Sequence, residues 1–133
     1  MADDDPAVAG AEEHAFMLGE ERVGDACAVL TLGGEVDLHT APELRERLTA
    51  AIEDGCDELV VDLTDVTFID SMTLGVLLGA LKRLRQRSGD LKIVISDPSL
   101  RRIFEITLLD SVFALFDTRA AALASGASPG APA

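Results

Sequence analysis

The side chains with most chemical potential in this sequence fall in two short stretches. GGEVDLHTA (33–41) holds Asp37, His39 and Thr40, and FIDSM (68–72) holds Asp70 and Ser71. A serine, a histidine and an aspartate are the parts of a hydrolytic triad, in which the imidazole takes the hydroxyl proton and the carboxylate orients the imidazole. Ser71 is not set in the G-x-S-x-G elbow that lifts such a serine off a sheet. His39 stands in a turn where a solvated imidazole suffices, so a small serine hydrolase is the distant reading. Taken alone, Ser71 has two simpler uses. It lies where an apolar strand hands over to an apolar helix, and the first N–H groups of a helix lack partners and face the positive end of its dipole. Serine or aspartate can cap those groups. A phosphate on the serine would meet the same donors and change the surface charge without melting the helix. The two uses are compatible, because a capping hydroxyl is also accessible.

The elements that must position these residues can be read from periodicity. HAFMLGEERV (14–23), GD and ACAVLTLGGEV (26–36) predict two strands joined by a tight turn. HTAPELRERLTAAIEDG (39–55) predicts a helix with Thr40 and Glu43 as a capping box, Pro42 in the tolerant first turn and Gly55 as its stop. Leu44, Leu48 and Ile52 form its inward stripe. ELVVDL (58–63) predicts a strand covered on both faces. The helix after Ser71 buries Leu74, Leu77, Leu78, Leu81 and Leu84 and ends at Ser88–Gly89. LKIVIS is a further strand, and Asp97 with Pro98 opens a helix through PSLRRIFEITLL (98–109). VFALF and a last helix capped by Asp117 follow. The order ββαβαβαβα implies an α/β domain with a mixed, mostly parallel sheet and helices packed on it. Functional groups on such sheets gather outside the carboxyl ends of the parallel strands. Both strand-to-helix turns belong there, which brings Asp37, His39 and Thr40 near Asp70 and Ser71.

Composition narrows the partners. The chain has 133 residues, enough for one domain, and a formal net charge of −13. A polyanion is repelled by such a surface, and the absence of Trp and Tyr removes the aromatic platform that stacks single-stranded bases. Basic protein surfaces fit better. Residues 1–25 carry eight acids against one base, Arg22. The expected organisation is a disordered acidic segment at 1–14, the folded domain at 15–124 and a disordered small-residue segment at 125–133. The N-terminal segment has no basic and apolar signal pattern, and LGVLLGAL is far short of a membrane span, so a cytoplasmic location is expected. Cys27 and Cys56 lack metal-ligand spacing and read as small buried thiols. Gly33–Gly34 does not extend to a phosphate-cradling motif, and no cofactor is implied. The basic cluster Lys82, Arg83, Arg85 and Arg87 is either a partner patch or the cationic end that a helix dipole favours, the second being the simpler. Gly75 and Gly79 leave a thin helical face beside Met72 and Val76, open to another backbone from this domain or from a partner.

GEVDLHTAPELRERL and LVVDLTDVTFIDSMTLGVLLGALKRLRQRSGDLKIVISDPSLRRIFEITLLD together resemble the STAS domains of bacterial anti-sigma factor antagonists over roughly residues 15–124. The resemblance implies the STAS fold, with about four helices on the sheet, and a phosphoswitch. An unphosphorylated antagonist of that family binds an anti-sigma factor that is also a serine kinase, which frees a sigma factor. Phosphorylation of the serine in the D-S motif releases it, and a serine phosphatase resets it. Ser71 matches that serine, Asp70 would hold its loop, and Asp37 would lie in the neighbouring turn. The partner-binding surface implied comprises Asp37, His39, Thr40, Asp70, Ser71, Met72, Thr73 and Val76. Where the family commonly has D-S-S-G-L-G, this chain has Asp70-Ser71-Met72-Thr73-Leu74-Gly75. Met72 and Thr73 are expected to face outward, add bulk to the binding face and tune partner choice. A STAS domain serving as an unphosphorylated scaffold, for instance in a lipid-transport complex, is the alternative, and the retained serine weighs against it.

Overall fold

The computed structural model describes residues 16–125, so the acidic segment 1–14 and residues 126–133 lie outside the described residues. Strand β1 (Met17–Arg22) turns at Gly24, whose φ of +80° only glycine adopts without strain, into β2 (Cys27–Val36). The two pair antiparallel, Met17 opposite Gly33 and Arg22 opposite Ala28. Helix α1 (Ala41–Glu53), β3 (Glu58–Ile69), α2 (Ser71–Arg85), β4 (Asp90–Val94), α3 (Pro98–Ile106), β5 (Ala114–Phe116) and α4 (Arg119–Ala124) follow. Spatial strand order equals sequence order, and β2 to β5 run parallel. The mixed α/β sheet read from the sequence is therefore the observed one.

Strand alternation divides the core between two faces. Ala28, Leu30 and Leu32 of β2 and Leu59, Val61 and Leu63 of β3 meet the apolar stripes of α1, α2 and α3. The intervening Val29, Val60 and Val94 point the other way and meet Ala122 of α4 and Phe116. This second face is partly polar, and its two cations, Lys92 and Arg119, are paired. Lys92 is buried on β4, and its ammonium donates to Glu58 Oε1 and to the carbonyls of Ala122 and Ser125. Arg119 of α4 reaches Thr31 of β2 and Asp62 of β3. These contacts pin a helix too short to hold itself.

Several helix ends differ from the sequence reading. Thr40 makes no side-chain cap, so the Thr40–Glu43 capping box does not form. Helix α3 stops at Ile106 rather than running on to Leu109, because the chain turns left-handed at Leu108 (φ +63°) and Thr107 Oγ1 donates back to the Ile103 carbonyl. Thr118, not Asp117, caps α4, its hydroxyl accepting from the Ala121 N–H. Asp117 pairs instead with Arg101 at 2.9 Å. The basic end of α2 is mostly spent inside the molecule. Arg83 meets Thr49, Arg85 the Val112 carbonyl, and Arg87 the carbonyls of Ile52 and Cys56 with the Asp57 carboxylate.

Candidate functional site

Strands β2 and β3 are parallel neighbours that end level with each other, Val36 opposite Ile69. The turns that follow them are therefore side by side at one sheet edge, as the topology rule anticipates. The Asp70 N–H donates to the Val36 carbonyl at 3.3 Å, joining the second turn to the end of β2. Two register shifts between the strands lie just upstream, and Gly34 adopts φ +78° between them. These bulges re-aim the last residues of β3.

At the second turn Asp70 takes the cap. Its backbone is extended (φ −109°, ψ 176°), and Oδ1 accepts from the Thr73 N–H at 2.9 Å and the Thr73 hydroxyl at 2.8 Å. Thr73 is fully buried, and its Oγ1 also lies 3.1 Å from the Val36 carbonyl. With the cap filled, Ser71 becomes the first helical residue. It is exposed, and its hydroxyl has no hydrogen-bond partner among the described residues. The N–H groups of Ser71 and Met72 precede the first intrahelical bonds and are likewise left for solvent or an anion.

The first turn closes on itself. The Asp37 N–H donates to Thr40 Oγ1 at 2.9 Å, and the Asp37 carbonyl accepts from the N–H groups of Thr40 and Ala41. Asp37 Oδ1 accepts from the backbone N–H of His39. No hydrogen bond among the described residues joins Ser71, the His39 imidazole and a carboxylate, so the triad arrangement is not assembled.

The structure therefore brings Asp37, His39, Thr40, Asp70, Ser71 and Met72 to one edge, and it corrects Thr73. That side chain points inward and cannot meet a partner, because it is fully buried and its hydroxyl lies between the Asp70 carboxylate and the Val36 carbonyl. Val76 is also buried, 6% exposed, and shows only in the wall of a groove between α1 and α2. Met72 does face outward, at 51% exposure. Sequence reasoning missed Leu38 and Phe68, exposed by 57% and 49% on the first turn and the end of β3. Met17, opposite Gly33, is exposed at the same edge. Apolar residues inside otherwise polar turns were the available signal. Exposed apolar side chains grouped beside a free hydroxyl form a patch of the kind that protein contacts bury.

Among the described residues no group of three or more His, Cys, Asp or Glu side chains is placed to hold a metal ion. No helix among them is long and apolar enough to cross a membrane. Cys27 and Cys56 are free, and burial pushes both thiols up from their ordinary value, away from the reactive thiolate.

Comparison with known proteins bears on the family and the fold. The STAS domain family model matches residues 20–122. The anti-sigma-B factor antagonist of Staphylococcus aureus is 42% identical over 76 residues, which cover 57% of this chain and 70% of that protein. The crystal structure of an anti-sigma factor antagonist from Mycobacterium paratuberculosis superposes with a TM-score of 0.75 at 31% identity, covering 83% of this chain and 92% of that one. The anti-sigma factor antagonist SpoIIAA in its unphosphorylated form gives 0.71 at 25% identity, covering 82% and 93%.

Proposed function

This chain belongs to the STAS-domain family of anti-sigma factor antagonists, and from that premise we propose that Ser71 is the phosphoacceptor of a protein partner switch. Unmodified, the chain binds an anti-sigma factor that is also a serine kinase, and so frees a sigma factor in the cytoplasm. Phosphorylation of Ser71 releases the chain, and a serine phosphatase resets it. The chain is a regulator rather than an enzyme.

The observation that carries this reading is the division of labour between Asp70 and Ser71. Asp70 caps the helix, so the serine hydroxyl is free at the surface and the fold does not depend on it. A phosphate there brings about −1.5 to −2 charges to a helix start that tolerates them. The same charge in an interface rimmed by Leu38, Phe68 and Met72 is costly, because its hydration must be stripped without a matching cation. The solved forms of SpoIIAA include a phosphorylated one, which supports the reading by analogy. The test is incubation with the cognate anti-sigma kinase and Mg-ATP, followed by site mapping by mass spectrometry. Stoichiometric phosphate on Ser71 is expected; phosphate elsewhere with Ser71 bare overturns it.

A further inference from the structure

Helices α1 and α2 do not close over each other along their length. Between them runs a groove of about 260 Å³ with Gly75, Gly79 and Ala80 along one side and Arg45 and Arg83 on its borders. A Cβ built on Gly75 or Gly79 would meet nothing within 4 Å, so this side of the groove is open. The two border arginines are also unmatched. Neither pairs with a carboxylate among the described residues; Arg102 and Lys82 share that property but do not line the groove, and Arg22, Arg47, Arg85, Arg87, Arg101 and Arg119 are each paired. In a chain of net charge −13, a cationic groove with no acid in it asks for one.

The chain carries a matching segment and delivers it to the right place. Because β1 runs antiparallel to β2, with Met17 opposite Gly33, residue 16 lies at the edge where α1 and α2 begin. Arg47 of α1 pairs with Glu20 of β1, so α1 alone stands between β1 and the groove. Residues 1–15, MADDDPAVAGAEEHA, place Asp3, Asp4 and Asp5 and then Glu12 and Glu13 on either side of the small-residue stretch PAVAGA, with no Lys or Arg. Fifteen extended residues reach up to about 50 Å, far more than the roughly 10–12 Å diameter of the helix to be crossed.

We propose that residues 1–15 fold back as an acidic strap in the α1–α2 groove, their two acid clusters at Arg45 and Arg83 and PAVAGA over Gly75 and Gly79. Small residues let the strap's backbone approach a helix surface that itself lacks side chains. Exposed ion pairs are individually weak, but a short tether supplies an effective concentration of order mM, so a weak site is still occupied. The strap is correspondingly labile, and any partner that grips the outer face of α2 displaces it. This proposal stands whether or not Ser71 is phosphorylated.

The test compares amide chemical shifts of the isotope-labelled full chain with those of a variant carrying Asn at Asp3, Asp4 and Asp5 and Gln at Glu12 and Glu13. The changes should concentrate at Thr49, Gly75, Val76 and Gly79, with the rest of the fold unmoved. Salt at about 0.5 M, where screening lengths fall to a few Å, should reproduce them, and so should R45Q with R83Q. Groove amides that ignore the neutralised acids overturn the proposal. Groove amides that move with protein concentration overturn it in favour of a second copy as the occupant.

Discussion

The turns that open α1 and α2 carry the same pattern, an aspartate followed three residues later by a threonine: Asp37-Leu38-His39-Thr40 and Asp70-Ser71-Met72-Thr73. They fold differently because their backbones do. Thr40 has helical dihedrals (φ −103°, ψ −14°), which turn its hydroxyl back to the Asp37 N–H. A capping side chain needs the extended backbone that Asp70 adopts. In the first turn the threonine therefore closes a loop and the helix begins after it. In the second the aspartate caps, the helix begins at once, and the threonine is drawn inside against the Val36 carbonyl. One pattern yields a brace and the other a presented serine. The second also leans on the first, since both Asp70 and Thr73 contact the end of β2.

The largest effect should come from removing the buried threonine. Restoring the family's pair, Met72→Ser with Thr73→Gly, forfeits a hydrogen bond of about 1 kcal/mol, a buried methyl of about 0.8 and helix propensity of about 0.5. Urea denaturation should show a loss of about 2–3 kcal/mol, and an unchanged midpoint would mean that Thr73 is not the anchor described. Thr73→Ser keeps the hydroxyl and should lose only about 1 kcal/mol or less. Asp70→Ala removes a cap and should cost about 0.5–2 kcal/mol. Thr40→Ala should cost less than Asp70→Ala, because water replaces bonds in a half-exposed turn. A reversed order would break the contrast between the two turns. Smallest of all, Ser71→Ala and Met72→Ala should each leave stability within about 0.5 kcal/mol, both side chains being exposed. Met72→Ala should still weaken partner binding, measured by calorimetry.

What the sequence revealed and concealed has physical causes. Leu74, Leu77, Leu81 and Leu84 mark the inward side of α2 because they repeat at helical spacing, and alternating elements placed both turns at one edge. Thr73 lies four residues before Leu77 on the same stripe, but its polar type disguised it as a surface residue. Only the Val36 carbonyl waiting inside and the Asp70 carboxylate above it explain its position. Phe68 follows two register shifts between β2 and β3, and a bulge undoes the alternation from which a strand face is read. Thr40 has the residue type of a cap without the backbone, and backbone dihedrals are not written in a capping motif. The fully buried Lys92 was equally illegible, since two of its acceptors are carbonyls in and just past α4, some thirty residues on, and the third is Glu58 on β3.

The central claim is that a charge on Ser71, and not a change of fold, breaks the partner contact. Calorimetric titration of the cognate anti-sigma kinase with unmodified, Ser71→Asp and Ser71-phosphorylated chain tests it directly, with the amide spectra of all three recorded alongside. The account predicts superimposable spectra away from the second turn, a partial loss of affinity for Ser71→Asp and a loss of at least about tenfold, or 1.4 kcal/mol, for the phosphorylated chain. Equal affinity for the three forms would contradict it.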